Sequence, residues 1–288
     1  MLSRRLRALA LLLLSVLLLL AGSSCIGYAS AGTLKSTVDA GGATSAVAQF
    51  RLNHGRLEID GGASGLMRGE FTTDDKYDPS VAYSVRGQQG TLTVTQTQTG
   101  NRPSFGMIPI DSSWTVDLND EIPLDLAIEN GGAHVDLNLD TLTITQLSLN
   151  AGAGAASISL DGIQRELTGI QLKATTGDID LRMRGSYDQP RVIDASTISG
   201  SVKLDLGSVT GSDLTGSIRS TSGGITISVP RATGVEIEAS TTSGTISANG
   251  LIERSNGTFV NSAYGISKTT VLLEVRSTAG TITLKLAS

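Results

Sequence analysis

Gly177-Asp178-Ile179-Asp180-Leu181, Gly200-Ser201-Val202-Lys203-Leu204 and Gly223-Gly224-Ile225-Thr226-Ile227 are one pattern written three times: glycine, any residue, Ile or Val, any residue, an aliphatic residue. Gly244-Thr245-Ile246-Ser247-Ala248 and Gly280-Thr281-Ile282-Thr283-Leu284 repeat it, and Val135-Asp136-Leu137 and Ile158-Ser159-Leu160 are looser copies. The first aliphatic position advances from 135 to 158, 179, 202, 225 and 246, steps of 21 or 23 residues, and then by 36 to 282. Apolar residues at every second position put one side of a strand into a core. A second alternating run precedes each glycine, as in Ile170-Gln171-Leu172, Ile193-Asp194-Ala195 and Val235-Glu236-Ile237. The unit is strand, Ser/Thr/Gly turn, strand, outer connection. The turn glycines Gly177, Gly200, Gly223, Gly244 and Gly280 are expected to supply the backbone freedom of a sharp corner. Such a unit cannot bury its apolar side alone, but copies stacked about 4.8 Å apart can. The expected fold is all-β: a right-handed β-solenoid of about nine coils, each of 21–23 residues, with sequence neighbours stacked in order. Ile179, Val202, Ile225 and Ile246 should then form an inward ladder on adjacent coils.

Working outward, Phe50-Arg51-Leu52 leads through Gly55 to Leu57-Glu58-Ile59. Val81 to Val85 leads through Gly90 to Leu92-Thr93-Val94, and Leu126-Ala127-Ile128 leads through Gly131 and Gly132 to Val135. These extend the body to 45–288, with insertions at 60–80, 95–123 and 249–270 and a possible sub-boundary near Pro123. Across 288 residues there are 34 Gly, 3% aromatic and 17% charged residues, with one Cys and two His. One Cys excludes a disulfide scaffold or a Cys-rich metal site. A net charge of −5 and scarce aromatic rings argue against a nucleic-acid partner.

The first 24 residues read as a signal peptide. Arg4, Arg5 and Arg7 form a positive start, and Ala8 to Ala21 is an apolar run too short to span a bilayer comfortably. Gly22, Ser23, Ser24 and Cys25 follow, resembling a bacterial lipoprotein signal in which Cys25 receives the lipid and becomes the mature N-terminus. Ala29-Ser30-Ala31 offers ordinary secretory cleavage after Ala31 instead, and an uncleaved anchor is a third reading. Each exports the chain, either anchored on the outer side of the cytoplasmic membrane or cell envelope or released. Residues 25–44, small and polar, read as a flexible tether.

Catalytic constellations are sparse. There is no Gly-x-Ser-x-Gly elbow, and His54 and His134 sit in separate turns two coils apart with no Ser–Asp partners in view. Gly131 to Asp136 lacks the nonapeptide period of a calcium roll, and Asp74, Asp75 and Asp78 are more economically a solvated loop. Asp178, Asp180, Asp194 and Asp205, with Lys173, Arg182, Arg184 and Arg191 nearby, are the strongest enzymatic candidates, a carboxylate group such as sugar-cleaving β-helices use. Alternation makes them a solvated charged face with cross-strand ion pairs instead. Asn256-Gly257-Thr258 reads as a turn, with Phe259 and Tyr264 beside it either as exposed anchors or as a cap on the stack.

Thr176-Gly177-Asp178-Ile179 and Ser243-Gly244-Thr245-Ile246 resemble the turns of the putative-adhesin β-solenoid family of bacterial exported proteins. Trp114 to Leu118, Ile122 to Leu126 and Gly131-Gly132-Ala133 are similar to the toast-rack domain of cell-wall-active antibiotic response proteins. The resemblance implies a non-enzymatic envelope protein with no cofactor or metal, acting in adhesion, scaffolding or envelope sensing. Its partners would be the membrane, through the lipid on Cys25, and an envelope protein or glycan. The alternatives are a module that reports envelope stress to a membrane partner, and a polysaccharide-active enzyme.

Overall fold

The computed structural model describes residues 33–73, 77–98 and 112–287. The expected signal peptide, Cys25, Ala31, Asp74 and Asp75 lie outside the described residues. All regular elements within them are strands, and no helix there is long and apolar enough to cross a membrane. In chain order, β1 is Thr33–Val38, β2 Ser45–Leu52, β3 Arg56–Gly61, β4 Met67–Thr72, β5 Tyr77–Arg86, β6 Gln89–Gln98 and β7 Ser113–Leu118. Next come β8 (Leu124–Asn130), β9 (His134–Asn138), β10 (Ile144–Ala151), β11 (Ala156–Ser159) and β12 (Ile163–Gln164). β13 (Gly169–Ala174), β14 (Ile179–Arg182), β15 (Ser186–Tyr187), β16 (Arg191–Thr197), β17 (Val202–Asp205) and β18 (Thr210–Gly211) follow. The chain continues through β19 (Leu214–Ser220), β20 (Ile225–Val229), β21 (Gly234–Thr241), β22 (Ile246–Asn249), β23 (Ile252–Ser255), β24 (Thr258–Val260), β25 (Thr270–Ser277) and β26 (Ile282–Leu286).

These strands form nine coils, each with one strand in an eleven-stranded sheet A and one in a twelve-stranded sheet B. Three coils add a short strand to a three-stranded sheet C, β12–β15–β18. Neighbouring coils pair in parallel, as β14 does with β17 and β13 with β16. Alternation in sequence becomes alternation in burial: β8 buries Leu124, Leu126 and Ile128 and turns Asp125, Ala127 and Glu129 outward. The core is the filling between the sheets, and Trp114, Leu57, Val135, Ala156, Ile179, Val202, Ile225 and Ile282 follow one another along it on successive strands of sheet A.

The order of the coils departs from the expected one at both ends. Sheet A runs β1-β4-β7-β3-β9-β11-β14-β17-β20-β26-β22, so the second coil lies outside the first and the eighth outside the ninth. Ile282 therefore stands between Ile225 and Ile246, which are not neighbours, and Ile246 ends the ladder only half-buried. The cause is edge protection. An exposed strand edge presents unpaired N–H and C=O groups. The outermost coils are the ones flanked in sequence by insertions that cover them. β5 pairs antiparallel with β6, β4 with β7 and β1 with β4, while β24 and β23 extend sheet B beyond β21. The exception is β22, beyond which sheet A has no further strand among the described residues.

Three expectations about elements change accordingly. Val81–Val85 and Leu92–Val94 are not the two sides of a coil but a hairpin within sheet B, and β6 makes its coil with β7 inside the stretch expected as an insertion. β1 occupies residues expected as tether, held by antiparallel pairing to β4 along its full length. No boundary falls at 123, because β2 pairs with β8 and β3 with β9 across it.

Candidate functional site

At the corner from sheet B to sheet A, the five turn glycines stack in one column. A Cβ on Gly200 would collide with the carbonyl oxygen of Gly177, one on Gly223 with that of Gly200, one on Gly280 with that of Gly223, and one on Gly244 with that of Gly280. Gly177 meets Gly154 in the same way. None of the five has positive φ. Their expected role as flexible corner residues is therefore replaced by a different one: they let the backbones of successive coils approach without a side chain between them. A hydroxyl three residues earlier fixes the turn. Gly200 N–H donates to Thr197 Oγ1 at 3.0 Å, Gly223 N–H to Ser220 Oγ at 2.9 Å and Gly280 N–H to Ser277 Oγ at 2.7 Å. These hydroxyls are buried. The sequence carries their signal, Ser or Thr three residues before the glycine, at Thr197, Ser220, Thr241 and Ser277.

The corner makes two long outer faces. On sheet A, an open cleft of about 370 Å³ is lined by Arg56, Glu58, Asp136, Asp180, Arg182 and Lys203 among others. Its charges are engaged with one another. Asp180 pairs with Lys203 at 2.6 Å, Arg182 with Asp161 at 2.7 Å, Arg184 with Asp205 at 2.5 Å and Arg56 with Asp136 at 2.5 Å. Asp178 accepts the Ser201 N–H at 2.7 Å and its hydroxyl at 2.8 Å, which hold its carboxyl below the usual range against a smaller opposing effect of burial. For Asp205, burial pushes upward, but the Arg184 hydrogen bond, the Gly207 N–H and the charges of Arg184 and Lys203 bring it below its ordinary value. A carboxyl poised as a proton donor at neutral pH would need the opposite shift.

The candidate group divides between faces. Asp178, Asp180, Arg182, Arg184 and Asp205 belong to the sheet A side, whereas Lys173 and Asp194 lie on the outer face of sheet B. Arg191 points inward. It is 1% exposed, lies 4.0 Å from the Tyr187 ring and donates to Ser212 O at 3.0 Å, while its Nε and Nη2 have no protein partner. Burial pulls its guanidinium down to about 10, opposed by Tyr187 and Asp213. Arg191 is thus a core residue that makes no ion pair among the described residues, with only the longer-range charge of Asp213 beside it.

His54 and His134 stand on adjacent coils, not two coils apart, because the coil of β6 and β7 lies outside that of β2 and β3. His134 N–H donates to Gly55 O, and its ring faces Asp136 at 3.4 Å. His54 packs edge-on against Tyr77, with ring centroids 4.4 Å apart. Among the described residues, no three His, Cys, Asp or Glu side chains are grouped as a metal site. Asn256 and Gly257 form the turn of the β23–β24 hairpin, and Phe259 folds back into the core beneath it.

On sheet B, two more clefts lie along the corner, of about 490 and 620 Å³. The first is bordered by Arg51, Glu129 and Asn150, the second by Arg219, Arg276 and a series of Ser and Thr hydroxyls.

A putative cell adhesion protein from Clostridium sporogenes ATCC 15579 is similar at 21% identity and a TM-score of 0.49, covering 88% of this chain and 99% of its own. A putative adhesin from Bacteroides fragilis NCTC 9343 is similar at 12% identity and 0.37, covering 88% and 97%. One from Parabacteroides distasonis ATCC 8503 gives 11% and 0.35 over 88% and 97%. No curated protein matches in sequence. The model of the N-terminal domain of toast_rack, DUF2154, matches residues 29–182, more than half of the chain, and the protein belongs to that family.

Proposed function

We propose that this is a non-enzymatic protein of the bacterial cell envelope, exported and held to a membrane by lipid on Cys25, whose nine-coil body binds envelope polymers or proteins. Adhesion and scaffolding are the uses that fit a long repetitive surface. The observation that carries this reading is the state of the sheet A carboxylates. Each of the strongest acid candidates there is taken by a fixed partner: Asp178 by Ser201, Asp180 by Lys203, Asp205 by Arg184. Such a face offers a regular array of charges and hydroxyls to a large partner, with these three carboxyls already engaged. Family membership agrees with the fold of this reading and names no activity.

Three measurements test it. Full-length protein should sediment with isolated envelopes, and Cys25→Ser should release it from membranes while the body still binds envelope material in solution. Intact mass of the wild type should show a lipidated Cys25; a mature N-terminus at Gly32 contradicts the anchor. Polysaccharide breakdown that survives repurification and disappears in Asp180→Asn overturns the binding role in favour of an enzyme.

A further inference from the structure

The outer face of the nine parallel strands of sheet B sorts its charges by row. Register places Arg51, Glu129, Lys173, Arg219 and Arg276 in a single row along the stack, on β2, β8, β13, β19 and β25. The other two outward rows carry only acids: Asp125 and Glu236 in one, Asp194, Glu238 and Glu274 in the other. The basic row is the one bordering the corner, where both sheet B clefts lie. In a chain of net charge −5, a line of four cations and one acid is a local reversal of sign.

Its densest part is the pair Arg219 and Arg276, directly opposite on neighbouring strands. Like charges in that relation are destabilising. One carboxylate, Glu274, serves both: Arg219 reaches it at 3.3 Å and Arg276 contacts its other oxygen. Two exposed guanidiniums thus share one acid, above a cleft of about 620 Å³ with Ser196, Thr221, Thr242 and Thr278 in its wall. By strand spacing, Lys173 lies roughly 10 Å from Arg219 along the axis, and Arg51 roughly 14 Å beyond Lys173. The row is thus linear and interrupted, suited to a chain with an acid on successive units, and too sparse to hold a single small anion.

We propose that this corner row binds a linear acidic polysaccharide lying along the stack axis. Carboxylates would meet Arg219 and Arg276, whose planar forks match them two bonds at a time, and Lys173 further along, with Arg51, which pairs with Glu129 at 3.3 Å, at the far end. The hydroxyls of the corner would meet those of the sugar. This rests on the binding reading above and gives it a ligand class. Because the cations are exposed, each contact is weak, and affinity should come from several at once.

The probe is polygalacturonate, titrated against the full-length protein at low salt, with neutral dextran and double-stranded DNA in parallel. Polygalacturonate should bind, longer chains more tightly than short oligomers, and dextran should not. Arg219→Gln with Arg276→Gln should weaken binding at least tenfold at an unchanged melting temperature, and Lys173→Gln by less. Glu274→Gln, which frees both guanidiniums, should tighten it several-fold, an effect that a structural role does not produce. Dextran bound as well as polygalacturonate, or binding unmoved by the Arg and Glu274 variants, overturns the proposal. Equal binding of DNA overturns the carbohydrate assignment in favour of nonspecific polyanion attraction. If, in a Cys25→Ser background that removes the lipid anchor, the double variant still binds isolated envelopes like its parent, the row has failed while the envelope role stands.

Discussion

Gly200 sits where a methyl group has no room. With the Gly177 carbonyl beneath it, Gly200→Ala must push two coils apart or bend the turn, a cost of about 3 kcal/mol by the scale of overpacked sites. Gly42, whose added Cβ would meet nothing within 4 Å, is the control: its φ of 83° strains alanine, but by only about 1 kcal/mol. Thermal unfolding of the two variants distinguishes close approach from backbone freedom as the reason for the column. The sequence showed where glycine recurs and not why, because the stacking contact lies between residues 23 or more positions apart. Arg191 illustrates the same limit. Its place in the alternation of β16 marks it as inward, yet its charge suggests a surface residue, and only the structure shows it in the core against Tyr187. The corresponding position on the next strand is Leu214. Arg191→Leu removes a buried cation that makes no ion pair, and should raise stability by about 1–3 kcal/mol in chemical denaturation.

At the scale of the strand, register decides which neighbouring residues matter. Val202 is 1% exposed between Ile179 and Ile225, and Lys203, one position on, faces solvent with Asp180. Val202→Asp should cost about 4 kcal/mol by burying an unpaired carboxylate, and Lys203→Ser under about 1 kcal/mol. Similar melting temperatures for the two variants contradict the register. The sheet A carboxylates also set an acid dependence. Asp178 and Asp205 titrate below their ordinary values when folded, so their stabilisation is complete above about pH 4 and is lost as pH falls through the folded values. Stability should fall on acidification below that range, and Asp205→Asn should flatten part of the fall. Strand positions were legible because period-2 alternation is local. The Val81–Val94 hairpin was misread because a hairpin and a coil share the pattern of strand, glycine, strand, and only the direction of pairing tells them apart.

At the scale of the molecule, eight of the nine coils followed from the repeat, while the coil of β6 and β7 and the order of the coils did not. Repeat spacing says that β25 and β26 form a coil; it says nothing of their insertion between β19–β20 and β21–β22, which the need to cover the edge of β21 explains. The candidate site shared this fate. Its individual charges were visible in sequence, while the division of the group between two faces and the facing of Arg219 and Arg276 depend on coil order. That order is therefore the feature on which both the core ladder and the basic row stand. It is tested most directly by disulfide trapping in a Cys25→Ser background. Thr226 and Thr283 are register partners facing outward on β20 and β26, and Ser247 of β22 lies one strand further. Under mild oxidation, Thr226→Cys with Thr283→Cys should close an intramolecular disulfide, since adjacent strands bring Cα atoms within disulfide range. Thr226→Cys with Ser247→Cys should remain reduced. A disulfide in the second pair and none in the first would restore the sequential order and remove the pairing of Arg219 with Arg276.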